Sequence, residues 1–163
     1  MNYKIKPITE KDIESFRQAV GSVAREKLYL AFLDAPSFEM SHEFVLNNIK
    51  ESWPQVVAVS GDTVIGWCDI VGSNRHACSH VGTLGIGVLK EHRGHGIGLE
   101  LMKEALSLAK KRGFTRIELA VREDNLRAMH LYQKMGFVIE GKHIHSFLID
   151  GQYFNQISMA LLF

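Results

Sequence analysis

The sequence predicts a mixed α/β fold in one domain spanning residues 1–163. A chain of 163 residues has the usual length of a single domain. Its hydrophobic residues make up 46% of the chain, enough for a well-formed core. Alternating strand-like segments are followed more than once by segments with helical spacing, so strands and helices share one layered structure.

The first half of the chain predicts a strand, a helical region and a β-hairpin. Apolar residues recur at helical spacing from Asp12 to about Leu33, which suits one or two helices, and "DAPS" (34–37) interrupts them. A further helix is expected to start near Ser41, a candidate N-cap. The predicted strands in this half are 3–8, 55–59 and 63–71, the last two joined by the turn 60–62.

The second half alternates strands and helices and ends in two strands. The strand 77–89 is unusually rich in glycine. The helix 97–112 has the clearest amphipathic pattern, and Gly113 follows its basic last turn as a stop signal. After a strand at 115–121, a helix is predicted from Asn125 to about Lys134. The two closing strands flank the turn Asp150–Gly151.

Composition and charge argue against several classes of protein. The 19 basic and 18 acidic residues give a net charge of +1, so no nucleic-acid or membrane surface is indicated. No apolar run approaches the ~20 residues of a membrane span, and residues 1–16 lack the apolar stretch of a signal peptide. The cytoplasm is therefore the expected location.

The cysteines and histidines do not predict a metal site. Cys68 and Cys78 fit no disulfide framework and are too few for a four-ligand zinc site, so we expect reduced thiols. His143 and His145 are expected on one strand face, a spacing that could ligate a metal, but no third ligand is evident. Solvated or substrate-lining positions are the expectation, and no metal is predicted.

The segment "EHRGHGIG" (91–98) places three glycines on alternate positions between a predicted strand and a predicted helix. The first N–H groups of a helix lack internal partners and carry a partial positive charge. Without side chains at Gly94, Gly96 and Gly98, an anion such as a pyrophosphate can approach them closely. The segment lacks the Gly-Lys-Ser/Thr of a P-loop, and its spacing differs from the G-x-G-x-x-G dinucleotide fingerprint.

The loop Arg93–Gly98 resembles the (Gln/Arg)-x-x-Gly-x-(Gly/Ala) signature of the GNAT superfamily of N-acetyltransferases. The resemblance extends to "LGIGV" (84–88), similar to the family's bulged central strand, and to "NLRAMHLYQKMGF" (125–137). It implies a mostly antiparallel sheet of six to seven strands with a bulged, splayed central strand and about four helices. It implies acetyl-CoA as co-substrate. The implied coenzyme contacts are Ile86, Gly87, Val88, Arg93, Gly94, His95, Gly96, Ile97, Gly98, Leu99, Asn125 and Tyr132.

The resemblance also assigns chemical roles. Asn125 and Tyr132 are seven residues apart, so they share a helix face. By resemblance Asn125 hydrogen-bonds the coenzyme and Tyr132 protonates its sulfur. Backbone N–H groups near Gly85 and Gly87 are expected to stabilise the carbonyl oxygen. The base is left open: Glu118, acting through a water, is the leading candidate, and the further candidates are Asp69, His80 and Glu39.

The early helices roof the acceptor site in this superfamily. In this chain they offer Tyr29, Phe32, Asp34 and Phe38 as acceptor-binding candidates, although Asp34 could equally cap a turn. The chain end resembles bacterial enzymes that acetylate amino acids or similar amines, which predicts a small-molecule amine acceptor. A protein N-terminal or lysine acetyltransferase and a non-catalytic coenzyme A sensor are the alternatives. The resemblance leaves a homodimer open.

Overall fold

The structure is a computed structural model that describes residues 2–163. Its helices are α1 (Ile13–Arg25), α2 (Phe38–Lys50), α3 (Ile97–Arg112) and α4 (Leu126–Lys134). Its strands are β1 (Lys4–Pro7), β2 (Gln55–Ser60), β3 (Thr63–Gly72), β4 (Val81–Val88), β5 (Arg116–Arg122), β6 (Val138–Ile149) and β7 (Gln152–Leu162). This element order is the one that the sequence predicts.

The seven strands form one sheet in the order β1-β2-β3-β4-β5-β7-β6. Every neighbouring pair is antiparallel except β4 and β5, which run parallel and are connected through α3. The mostly antiparallel sheet of six to seven strands with about four helices is thus confirmed.

The sheet opens between β4 and β5. These strands pair only over Val81–Thr83, opposite Arg116–Glu118. Beyond Thr83 they diverge, while β4 stays paired with β3 as far as Val88. The register between β3 and β4 is continuous, so no extra residue of β4 bulges from that ladder. The predicted splay is present: beyond Thr83, β4 stays paired with β3 and β5 stays paired with β7, but the two strands no longer pair with each other.

Helices cover both faces of the sheet, and neighbouring residues of β3 show which helix covers which face. Trp67 contacts Phe16 of α1 edge-on, with ring centroids 5.9 Å apart. A Cβ at Gly66 would lie 3.1 Å from Leu101 of α3. Because successive strand residues point to opposite faces, α1 and α3 lie on opposite sides. We call the α1 side the acceptor face and the α3 side the coenzyme face, after the substrates that the resemblance described above leads us to expect there.

Two predicted boundaries are wrong in the first half of the chain. Helix α1 ends at Arg25, and residues 26–37 form a loop that we call the acceptor loop. Helix α2 begins at Phe38 and not near Ser41, because the Ser37 hydroxyl accepts a hydrogen bond from the Met40 N–H and so caps the helix. The apolar residues that continued the helical pattern past Arg25 are largely exposed loop residues.

The strand predicted over 77–89 is also shorter. Strand β4 starts at Val81, and the segment His76–Cys78 forms a single 3-10 turn instead.

Candidate functional site

Two of the three signature glycines have backbone conformations that favour glycine. Gly94 and Gly96 have φ angles of 87° and 84°, in the left-handed region where side chains are strained. Gly96 is the N-cap of α3 and offers no side chain to its free N–H groups. The positively polarised start of α3 is therefore uncapped by any side chain, and nothing lies within 4 Å of a Cβ built at Gly96. Gly98 is already helical, within the first turn.

The edge of β4 that faces the splay carries unpaired backbone groups. The Leu89 N–H donates to the Ile65 carbonyl across the β3–β4 ladder. In an antiparallel ladder such pairs alternate, so Gly85 and Gly87 bond to β3 whereas Ile86 and Val88 point the other way. The parallel pairing with β5 has ended by then. The backbone of Ile86 and the Val88 N–H are consequently available to an extended ligand.

Tyr132 lies on the coenzyme face beside this edge. Its side chain is 7% exposed, and its ring centroid is 6.0 Å from that of Phe137. Burial and, to a lesser degree, the electrostatic influence of Cys68 raise the pKa of its phenol well above the usual value. Tyr132 therefore keeps its proton throughout the neutral pH range.

Asn125 is the N-cap of α4. Its Oδ1 accepts a hydrogen bond of 3.2 Å from the Ala128 N–H. Within residues 2–163 its Nδ2 has no protein acceptor, so the amide can still donate to a ligand. This cap fixes the start of α4, and therefore fixes where Tyr132 lies, two turns along.

Arg93 does not present its guanidinium to the signature loop. Its Nη2 lies 2.5 Å from Glu26 Oε1 and its Nη1 2.9 Å from Glu26 Oε2. Its Nε donates to the Val88 carbonyl at 2.8 Å, and the guanidinium lies over the Tyr29 ring. Arg93 thus ties the end of β4 to the start of the acceptor loop, a role that its place in the signature does not reveal.

A second arginine ties the same loop to the end of β5. Arg122 is 2% exposed, and its Nη1 donates to the Lys27 carbonyl at 2.8 Å. Its guanidinium is held by Asp124 and lies 3.7 Å from the Phe154 ring centroid. Lys27 in turn pairs with Asp150. Residues 26–29 are therefore anchored to both strands that border the splay.

Sequence reasoning missed this pair of anchors. The partners are 67 residues apart for Arg93 and Glu26, and 95 apart for Arg122 and Lys27. No local pattern marks them. The sequence offered one signal, Arg122 at the end of the predicted strand, because an arginine that becomes buried when the sheet is covered needs a polar partner.

The predicted acceptor residues separate into two groups. Tyr29 lies at the anchored start of the acceptor loop, where its hydroxyl is 3.3 Å from Arg93 Nη1. Phe32 and Phe38 are 50% and 46% exposed. Asp34 pairs with Arg25 and accepts from the Ala35 N–H, which matches the turn-stabilising alternative. The structure therefore brings Tyr29 alone of these four to the signature loop.

The candidate bases have different surroundings. Glu118 lies on β5 opposite Thr83 and forms an ion pair with Arg116, with its side chain 45% exposed. Asp69 lies on β3 opposite Gly85 and is 8% exposed. His80 and Glu39 are exposed and lie outside β4, in the loop before it and in α2.

His143 and His145 do not show the simple alternation that placed them on one face. The β6–β7 register shifts between His143 and Phe147, and His145 has a φ of 53°. The His145 ring stacks on Tyr153 with centroids 4.5 Å apart. Within residues 2–163, no three His, Cys, Asp or Glu side chains gather as a metal ion would require. None of the helices in the described part of the chain combines the length and the apolar character of a membrane-spanning segment.

The chain is similar to several known acetyltransferases. It is 31% identical to an L-amino acid N-acetyltransferase of Escherichia coli K12 over 159 residues, covering 96% of this chain and 95% of that protein. It is 40% identical to the spermidine N(1)-acetyltransferase of the same strain over 76 residues. That match spans 44% of this chain and only 39% of the spermidine enzyme's length.

Solved structures show the same fold. An acetyltransferase of the GNAT family from Streptococcus pneumoniae superposes with a TM-score of 0.92 at 27% identity, covering 99% of this chain and 100% of that one. A putative acetyltransferase from Salmonella typhimurium, solved with its cofactor acetyl-CoA, has the same TM-score at 13% identity over 99% and 94% of the two chains. The model of the acetyltransferase (GNAT) family matches residues 20–137. The chain belongs to the GNAT family of acetyltransferases.

Proposed function

We propose that this protein transfers an acetyl group from acetyl-CoA to the primary amine of a small molecule such as an amino acid, with both substrates bound together. The observation that carries the proposal is the open edge of β4, which lies beside the uncapped start of α3 and next to the buried phenol of Tyr132. Family membership supports the same reaction.

The residues present fit acetyl-CoA. The unpaired backbone of Ile86 and the Val88 N–H suit an amide-containing arm lying along β4 as an extra strand. The N–H groups of Ile97, Gly98 and Leu99 at the start of α3 suit a pyrophosphate. Gly94 and Gly96 leave the approach open, His95 lies exposed between them, and the Asn125 amide adds a donor.

The protein's contribution to the chemistry is electrostatic and acid-base. The bound coenzyme supplies an activated thioester carbonyl. The Ile86 N–H, which points into the splay, stabilises negative charge developing on the carbonyl oxygen. The Tyr132 phenol donates its proton to the leaving sulfur. The anchored acceptor loop holds the amine on the opposite face.

A small amine acceptor is favoured by the comparison that spans nearly the whole chain, since that relative is named as an amino-acid enzyme. The match to the spermidine enzymes is partial, so it bears less on the acceptor. The anchoring of residues 26–29 across the splay also favours a small acceptor, because a long peptide would have to pass that loop.

The direct test is thiol release from acetyl-CoA in the presence of amino acids, polyamines, aminoglycosides or short peptides. We expect release with one class of small amine. Release with peptides alone would instead indicate a protein acetyltransferase. Tight binding of acetyl-CoA without release across the panel would indicate a sensor.

A matched pair of variants tests the coenzyme site separately. Gly96→Asp and Gly96→Asn have similar size and share the cost of a left-handed backbone, but only Asp adds negative charge where the pyrophosphate would bind. We expect the Asp variant to bind acetyl-CoA at least about 10-fold more weakly than the Asn variant, a difference of about 1.4 kcal/mol. Equal affinities measured by calorimetry would refute the phosphate-binding role of the loop.

A further inference from the structure

We propose that Asp69 is the group that accepts the proton of the incoming ammonium, directly or through one water, from the acceptor face of the splay. The proposal rests on the function proposed above and assigns the residue that the sequence left open. Four features of Asp69 support it: its position, its lack of partners, its surroundings and its relation to Tyr132.

The position of Asp69 points its carboxylate towards the opening in the sheet. It shares the acceptor face of β3 with Trp67, since the two are two residues apart. Its partner across the ladder is Gly85 of β4. A Cβ at residue 85 would lie 3.0 Å from Asp69 Oδ1. The carboxylate therefore leans across β4 into the space that a side chain there would fill, one strand away from the splay.

Asp69 has no partner for its charge. Within residues 2–163 no side chain or N–H group donates to it and no cation pairs with it. Gln55, which faces Asp69 across the β2–β3 ladder, does not supply a donor, because its Nε2 makes no hydrogen bond. The other strongly buried charged residue, Arg122, is fully engaged. A buried carboxylate without partners is costly, and a cationic amine entering from the splay would supply the missing partner.

The groups around Asp69 are uncharged. Helix α1 buries apolar residues against the acceptor face, and α2 buries Ser41, Val45 and Asn48. Strand β2 contributes Gln55 and β4 contributes Gly85. Cys68, on the other face, is the titratable neighbour. Burial alone raises the pKa of Asp69 to about 7, near the value that suits a general base at neutral pH.

Asp69 and Tyr132 lie on opposite faces of the same point in the sheet. Cys68, the residue before Asp69, is on the coenzyme face, and it interacts electrostatically with the Tyr132 phenol. A proton acceptor on the amine side and a proton donor on the sulfur side are thus separated by the sheet itself. This arrangement keeps the acid and the base from neutralising each other.

The protons balance in this scheme. The acceptor arrives as R–NH3⁺, and one proton passes to the Asp69 carboxylate and then to solvent. The neutral nitrogen forms the C–N bond, the C–S bond breaks with its electron pair going to sulfur, and the Tyr132 phenol protonates the thiolate. The second nitrogen proton, lost as the amide forms, restores the phenol. The products are the amide, coenzyme A thiol and one released proton.

Glu118 is the rival base. Its carboxylate is already paired with Arg116 and 45% exposed, whereas the Asp69 carboxylate is buried and has no partner among the described residues. It also lies at the last position where β5 pairs with β4, whereas Gly85 lies beyond that pair.

The test is the pH dependence of kcat/KM, measured with the amine that the thiol-release panel identifies. The wild-type kcat/KM should decrease as the pH is lowered through an apparent pKa of about 7. At neutral pH, the kcat of Asp69→Asn should be about 10²- to 10⁴-fold lower than that of wild type. In Asp69→Asn this decrease near pH 7 should be absent, so that kcat/KM rises steadily with pH as the fraction of unprotonated amine increases. Affinity for acetyl-CoA should stay within a few-fold. Asp62→Asn, the same change in the exposed β2–β3 turn, is the control.

The possible results separate this proposal from the function on which it rests. If the decrease of kcat/KM near pH 7 persists in Asp69→Asn, or is absent in Glu118→Gln instead, the role of Asp69 is overturned. The proposed transferase function would not be affected by that result. If Asp69 had only a structural role, Asp69→Asn would lower the activity without changing the pH dependence of kcat/KM. That result would also contradict the proposal. A wild-type protein that neither binds acetyl-CoA nor releases thiol would overturn the proposed function, and this inference with it.

Discussion

Replacing Tyr132 by phenylalanine removes one oxygen atom from a side chain that is 7% exposed. Within residues 2–163 the phenol oxygen has no hydrogen-bond partner, so the substitution removes no protein–protein hydrogen bond. The apolar ring contact with Phe137 is kept. We therefore expect the free energy of unfolding to change by less than about 1 kcal/mol, below the usual value of a buried hydrogen bond.

The effect on catalysis should be much larger. If the phenol protonates the leaving sulfur, its loss should lower kcat by about 10²- to 10⁴-fold. This corresponds to about 2.7–5.4 kcal/mol in the activation free energy. Because burial raises the pKa of Tyr132 well above its usual value, the phenol is protonated throughout the neutral range. The ratio of wild-type to variant rates should therefore be constant between about pH 6 and 9.

The assay is steady-state thiol release with saturating acetyl-CoA, accompanied by urea denaturation of both proteins. Tyr153→Phe makes the same chemical change at a side chain that is 59% exposed, and it should behave like wild type. A Tyr132→Phe variant with kcat within a few-fold of wild type would remove Tyr132 from the mechanism. An equal loss in stability and in activity would make the residue structural.

Three further predictions follow from specific contacts. Gly87→Ala would place a Cβ 2.2 Å from the nearest atom of the Trp67 ring, so denaturation should show a loss of about 1–3 kcal/mol; unchanged stability would mean that the ring can move freely. Glu26→Gln weakens the anchor at Arg93, and should raise the KM for the amine about 10-fold, or about 1.4 kcal/mol, with little change for acetyl-CoA; equal effects on both would contradict an acceptor-side role. Because the pKa of folded Asp69 is raised to about 7, the free energy of unfolding should decrease as the pH rises. The stability that protonated Asp69 provides is fully present below about pH 4 and is lost as pH rises through about 7, by at most about 4 kcal/mol. Asp69→Asn should flatten that fall in denaturation measured from about pH 5 to 8, and an unchanged slope would place the titration elsewhere.

The local elements were predictable because each depends on neighbours in sequence. Helix α3 was predicted at its observed bounds, Ile97–Arg112, since amphipathic spacing and a glycine stop lie within the segment itself. The pattern failed at the acceptor loop, where apolar residues continue at helical spacing past Arg25. There the chain leaves the helix at Glu26 and Lys27, which are held by Arg93 and Arg122 from distant parts of the chain, and local propensity cannot report such contacts.

The sequence by itself determined the order of elements, the signature loop at the start of α3, and the placement of Asn125 and Tyr132 on one helix. These follow from spacing along a single helix or turn. Only the tertiary structure decided where β4 and β5 separate, that Arg93 binds Glu26, and that the Asp69 carboxylate leans over Gly85 without a partner. The physical reason is that burial and charge pairing are properties of groups brought together from distant parts of the chain. A carboxylate's pKa and an arginine's partner depend on what folding places beside them.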